Sequence, residues 1–151
     1  MAGTCLAGSW PGWRGPTSNG VAESGEYPVK WSSADNIAWQ VDLPGAAGST
    51  PCVTSKNIFV TCPKEGRNTL LCFDRGGKLQ WEADAGTDVG GKHKKGSGAN
   101  PSPTTDGERV YVYFKSGDLA AVDFSGQVVW KTNIQERFGA NDLWWDLGTS
   151  P

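Results

Sequence analysis

The residues best able to do chemistry lie in two loop-like stretches. In residues 86–100 (GTDVGGKHKKGSGAN), Lys92, His93, Lys94 and Lys95 are bracketed by glycines. A basic lobe with many unhindered backbone N–H groups can receive an anion, whether phosphate, carboxylate or sulfated glycan. The plainer alternative is a solvated connecting loop. The G-x-x-x-x-G-K-[ST] spacing is absent, so this is no nucleotide phosphate loop. In residues 137–146 (RFGANDLWWD), Trp144 and Trp145 stand among Arg137, Asp142 and Asp146. They form either a stacking platform for a sugar or peptide, or a connection with buried aromatics. His93 is the single histidine, and no nucleophile, base and orienting group come together in the sequence. No catalytic, cofactor-binding or metal-binding residue is predicted.

Cysteine chemistry is equally thin. Cys5, Cys52, Cys62 and Cys72 lie ten or more residues apart with no C-x-x-C, which is not metal-ligand spacing. Cys52, Cys62 and Cys72 fall on apolar strand candidates and read as small buried hydrophobes. A Cys62–Cys72 pair on neighbouring strands stays open.

The elements that must position these residues follow from composition and repetition. A net charge of −2 argues against a general nucleic-acid or anionic-membrane binder. No apolar stretch approaches the ~18 residues of a membrane span. Twenty-one glycines, nine prolines, eight tryptophans and one methionine favour short strands and turns over helices. Residues 1–9 lack a basic start and a full apolar run; they read as the tail of a signal peptide or as an unstructured terminus. Residues 1–35 form an irregular N-terminal segment rich in Gly and Pro.

Beyond it the chain repeats itself. Thr50-Pro51, an apolar strand, and Asp74-x-x-Gly77-x-x-x-Trp81 are answered by Ser102-Pro103, an apolar strand, and Asp123-x-x-Gly126-x-x-x-Trp130. The prolines are 52 residues apart and the tryptophans 49. That period marks one supersecondary unit used repeatedly. Repeat one spans about 48–86, with strands predicted near 50–54, 57–62, 69–74 and 78–83. Repeat two spans about 100–134, with strands near 102–105, 109–114, 118–123 and 127–132. A preceding outer strand is predicted at 36–43, carrying Trp39, and a third repeat starts at 148–151. The sequence thus reads as part of a longer repeat protein. Both RVYVYF (109–114) and NIFVTC (57–62) are apolar on both faces, so each sheet is covered on both sides. A small four-stranded sheet covered by its sequence neighbours is a propeller blade. The fold expected is all-β: a partial β-propeller of four-stranded antiparallel blades.

With D-x-x-G-x-x-x-W closing each repeat, the chain resembles the pyrroloquinoline-quinone-like (quinoprotein-type) β-propeller superfamily. That family's frame, A-x-D-x-x-T-G-x-x-x-W, is met by Ala121, Asp123, Gly126 and Trp130, and by Asp74, Gly77 and Trp81 with Cys72 in place of Ala. Each turn here is one residue shorter, and Gly76 or Ser125 replaces the Thr. The resemblance covers residues 36–151, and W-P-x-W-R-G-P-x-x-x-G (10–20) is similar to the opening of secreted bacterial propellers of this group. It implies a ring of seven or eight blades in the parent, with Trp39, Trp81 and Trp130 as inter-blade clamps. It further implies an extracytoplasmic, periplasmic location. Two functions come with it: a non-catalytic scaffold of the kind found in bacterial outer-membrane assembly, with envelope proteins and its own remaining blades as partners, or a quinone-dependent dehydrogenase whose active site lies in other blades. Only the second brings cofactors, PQQ and Ca2+.

Overall fold

The computed structural model describes residues 8–151. Cys5 and most of the stretch read as a signal-peptide tail lie outside the described residues. Among the described residues eight strands form two separate sheets, each a simple meander. The first is β1 (Cys52–Val53), β2 (Asn57–Lys64), β3 (Arg67–Asp74) and β4 (Leu79–Thr87). The second is β5 (Thr104–Thr105), β6 (Arg109–Tyr113), β7 (Asp118–Asp123) and β8 (Val128–Asn133). All pairings are antiparallel, so these are two four-stranded blades of a partial propeller.

Turn chemistry sets the register. Glu65 (φ 51°) and Gly66 (φ 77°) make a two-residue turn with both centres left-handed, the form that matches strand twist. It lets β2 and β3 run on to Lys64 and Arg67, further than the predicted ends at 62 and 69. In the D-x-x-G turns, Gly77 (φ 83°) and Gly126 (φ 91°) take the left-handed position. Their N–H groups donate to the carbonyls of Asp74 and Asp123 at 3.1 and 3.0 Å. An irregularity follows in each blade at the same place. Cys72 faces Trp81 and Phe73 faces Leu79, leaving Gln80 unmatched; Ala121 faces Trp130 and Val122 faces Val128, leaving Val129 unmatched. The residue before each motif tryptophan is thus a bulge residue, which re-aims the indole.

The larger apolar core lies between the blades. Cys52, Phe59, Leu70, Cys72, Ala83 and Ala85 of the first sheet meet Val110, Val112, Ala120 and Val122 of the second, with Phe114 just after β6. Val60, Cys62, Leu71 and Phe73 form a smaller core on the other face, against Ala47. Cys62 and Cys72 therefore point to opposite faces of one sheet, and Cys52, Cys62 and Cys72 are free buried thiols. That rules out the Cys62–Cys72 pair left open by the sequence. Burial pushes the Cys52 thiol up to about 12 and Cys72 to about 11, so both behave as hydrophobes rather than nucleophiles.

Two features lie outside the two sheets. Residues 36–43, expected as the outer strand of a blade whose other strands lie elsewhere, have no backbone partner among the described residues. An alternating apolar pattern makes a strand only when a neighbour supplies the ladder. Second, a short helix, α1 (Ile134–Phe138), follows β8. The Asn133 side chain caps it by accepting from the N–H groups of Gln135 and Glu136.

Candidate functional site

The repeat residues are joined across repeats. The indole Nε1 of Trp81 donates to the Phe124 carbonyl at 3.0 Å, inside the next D-x-x-G turn. Trp39 does the same one repeat earlier, donating to the Arg75 carbonyl at 2.9 Å. Each indole lies on the glycine of the turn it contacts: a Cβ on Gly77 would come 2.7 Å from the Trp39 ring, and one on Gly126 2.8 Å from Trp81. The glycines serve twice, once for positive φ and once for this close approach. For Trp130 the corresponding turn of a following repeat is not among the described residues. Trp130 is 40% exposed and meets Tyr111 of its own sheet at 6.2 Å.

The aspartates are spent inside their own turns. Asp74 Oδ1 accepts from the N–H groups of Gly76 and Lys78, and Oδ2 from Gln80 Nε2. Asp123 Oδ1 accepts from the N–H groups of Ser125 and Gln127 and from the Ser125 hydroxyl. The Ser125 hydroxyl is the chief cause holding the Asp123 carboxyl below the ordinary carboxylate range. This is turn closure by an Asx-type bond.

The Ser/Thr-Pro positions also join repeats. The Thr50 N–H donates to the Ser102 hydroxyl at 2.8 Å, and the Ser102 N–H to the Ser150 hydroxyl at 2.9 Å. Elsewhere Asn68 Nδ2 reaches Ser116 Oγ and Asp118 Oδ2 of the second blade at 2.9 and 3.1 Å. The N-terminal segment stitches the same blades together: Trp10 bridges Val53, and the Pro11 carbonyl accepts from Thr105.

The two loop-like stretches come together as one unit. The Asp146 carboxylate accepts from the Lys92 N–H at 2.7 Å and the His93 N–H at 3.1 Å. It also forms an ion pair with Lys115 Nζ at 2.8 Å; the two side chains are 1% and 11% exposed. Lys115 in turn donates to the Gly90 carbonyl. Lys92 Nζ donates to the Leu143 carbonyl, and the His93 ring stacks on Trp145 at 4.8 Å. The backbone N–H groups of Lys92 and His93 thus receive an internal carboxylate. That accounts for two N–H groups of the predicted anion loop and leaves Lys94 and Lys95 exposed. Trp144 meets Trp145 edge-on at 5.1 Å and is 83% exposed, so the aromatics of this connection are not buried. Lys115, which holds the unit together, carries no sequence signal beyond its charge.

Lys115 and the two N–H groups hold the Asp146 carboxyl down to about 2, against the opposing effect of burial. A carboxyl with a lowered native pKa contributes stability above its unfolded value, near 3.8, and loses it as pH falls toward 2. Acid melts of the wild type and Asp146→Asn should therefore converge between about pH 4 and pH 2. Parallel acid limbs would show that Asp146 titrates normally.

Among the described residues no three His, Cys, Asp or Glu side chains gather as metal donors. Asp74 and Asp123 are committed to their turns, and the dehydrogenase reading places its Ca2+ in other blades.

Four-stranded blades tied by indole-to-turn clamps define a β-propeller repeat protein of the PQQ type. A family model described as outer membrane protein assembly factor BamB matches residues 21–150, and the chain belongs to that family. No curated protein matches it.

Proposed function

We propose that this chain is part of a non-catalytic propeller scaffold that binds or helps assemble proteins in the bacterial cell envelope, on the periplasmic side. The observation supporting this reading is how the polar repeat residues are used. Asp74 and Asp123 close turns, and Trp39 and Trp81 hold the following repeat, so the motif builds a ring rather than a reaction centre. The family's description as an assembly factor agrees with protein partners. None of the described helices is long and apolar enough to cross a membrane, which suits a domain held beside a membrane by other means. The partners would be envelope proteins and further blades of the same propeller, with no nucleic acid.

The rival is quinone-dependent oxidation, and it is tested directly. The full-length parent protein, given PQQ and Ca2+, should show no dye-linked oxidation of alcohols or sugars and no absorbance of bound quinone. Clear turnover would overturn the scaffold reading.

A further inference from the structure

We infer that Trp144, with Lys94 and Lys95, forms a docking surface for an acidic peptide segment carrying an aromatic or large apolar side chain. This deepens the scaffold reading and rests on it. The surface is firmly mounted. Asp146, two residues after Trp144, is locked by the Lys92 and His93 N–H groups and by Lys115. Lys92 holds the Leu143 carbonyl immediately before Trp144. His93 covers one face of Trp145 with rings 29° apart, and Trp144 stands edge-on to Trp145 at 66°. The backbone that carries Trp144 is thereby held, which lowers the ordering cost of binding. Tryptophan so presented is the residue type that most often anchors protein contacts.

Charge selects the partner. The chain as a whole carries −2, yet this lobe is basic. Asp146 is neutralised by Lys115, and the Lys92 ammonium is taken by a carbonyl. Lys94 and Lys95 follow His93 directly and are exposed, with side chains that have no polar partner among the described residues. Asp142 is the single exposed carboxylate in residues 137–146. Lys94 adjoins His93, whose ring stacks on Trp145, the neighbour of Trp144; cations and an exposed indole carried on one such lobe complement carboxylates flanking an apolar side chain.

The test uses the full-length parent protein and a capped hexapeptide, EDFLDE, followed by isothermal titration. The expected result is binding that weakens at least tenfold in Trp144→Ala and in the Lys94→Glu/Lys95→Glu pair, and that fades in 0.5 M salt. A KKFLKK peptide should not bind. Both substitutions are at exposed positions, and unchanged urea-melting midpoints would show the fold intact; Lys94→Gln/Lys95→Gln serves as a milder second pair. No binding at millimolar peptide, or binding indifferent to Trp144→Ala, overturns the proposal. So does tighter binding of a heparin hexasaccharide that Trp144→Ala leaves unchanged, or self-association through Trp144 in sedimentation. Quinone turnover would defeat the scaffold reading while leaving the isotherm intact, whereas a lost isotherm defeats this surface alone.

Discussion

Trp81→Ala is expected to destabilise the chain by about 3–5 kcal/mol, the range for removing a large packed aromatic. Three contributions combine. The indole belongs to the inter-blade core beside Phe59 and Phe124. Its Nε1 satisfies the Phe124 carbonyl at 3.0 Å. Its ring also covers Gly126, whose turn it buttresses. Lys94→Ala should cost under about 0.5 kcal/mol, as most surface changes do. Trp130→Ala should fall between, at about 1–2 kcal/mol for the area that indole still covers, because its contact is with Tyr111 of its own sheet. Urea melts of the three variants give the ordering. Gly126→Ala supplies a cross-check: its Cβ would meet the Trp81 ring and its φ of 91° would be strained. Combined with Trp81→Ala, the steric part of that cost should vanish, giving a clear non-additivity. Equal shifts for Trp81→Ala and Lys94→Ala would show that the motif tryptophan does not hold the blades together.

What could be read from the sequence was what is locally encoded. The D-x-x-G turns, their glycines and the two-faced apolar strands each depend on a few adjacent residues, and the strands lie close to where those residues placed them. The bulge at Gln80 and Val129 left no mark, because it belongs to the pairing of two strands rather than to any one residue type. The segment at 36–43 has a strand's alternation, but strandedness belongs to a pair of backbones. Helix α1 carried a usable signal in Asn133-x-x-Glu136, an N-cap followed by an acidic third residue. The clamp acceptors, the Arg75 and Phe124 carbonyls, are backbone atoms and have no residue signature at all. For the candidate site, both stretches were visible separately, but their union was not. Asp146 meets Lys92 across 54 residues, and one carboxylate among several gives no sign of which N–H groups will receive it.

That union sets the second large effect. Asp146→Ala should cost about 3 kcal/mol, the low end for breaking a buried ion pair, because Lys115 keeps its bond to the Gly90 carbonyl and some access to water. The loss should also be visible locally. Without the carboxylate, the N–H groups of Lys92 and His93 lose their acceptor, and the loop no longer holds His93 against Trp145. Tryptophan fluorescence should change, and amide exchange should accelerate at Lys92 and His93, while the strands of both blades keep their protection. Adding Lys115→Met to Asp146→Ala should restore part of the stability, since the penalty comes largely from stranding one charge of a pair. Restored stability without restored protection at Lys92 and His93 would separate the two roles of Asp146: the ion pair that stabilises, and the N–H contacts that shape the loop carrying Lys94 and Lys95. If Asp146→Ala instead left both stability and exchange unchanged, the two stretches would not be one unit, and the mount inferred for Trp144 would fall with it.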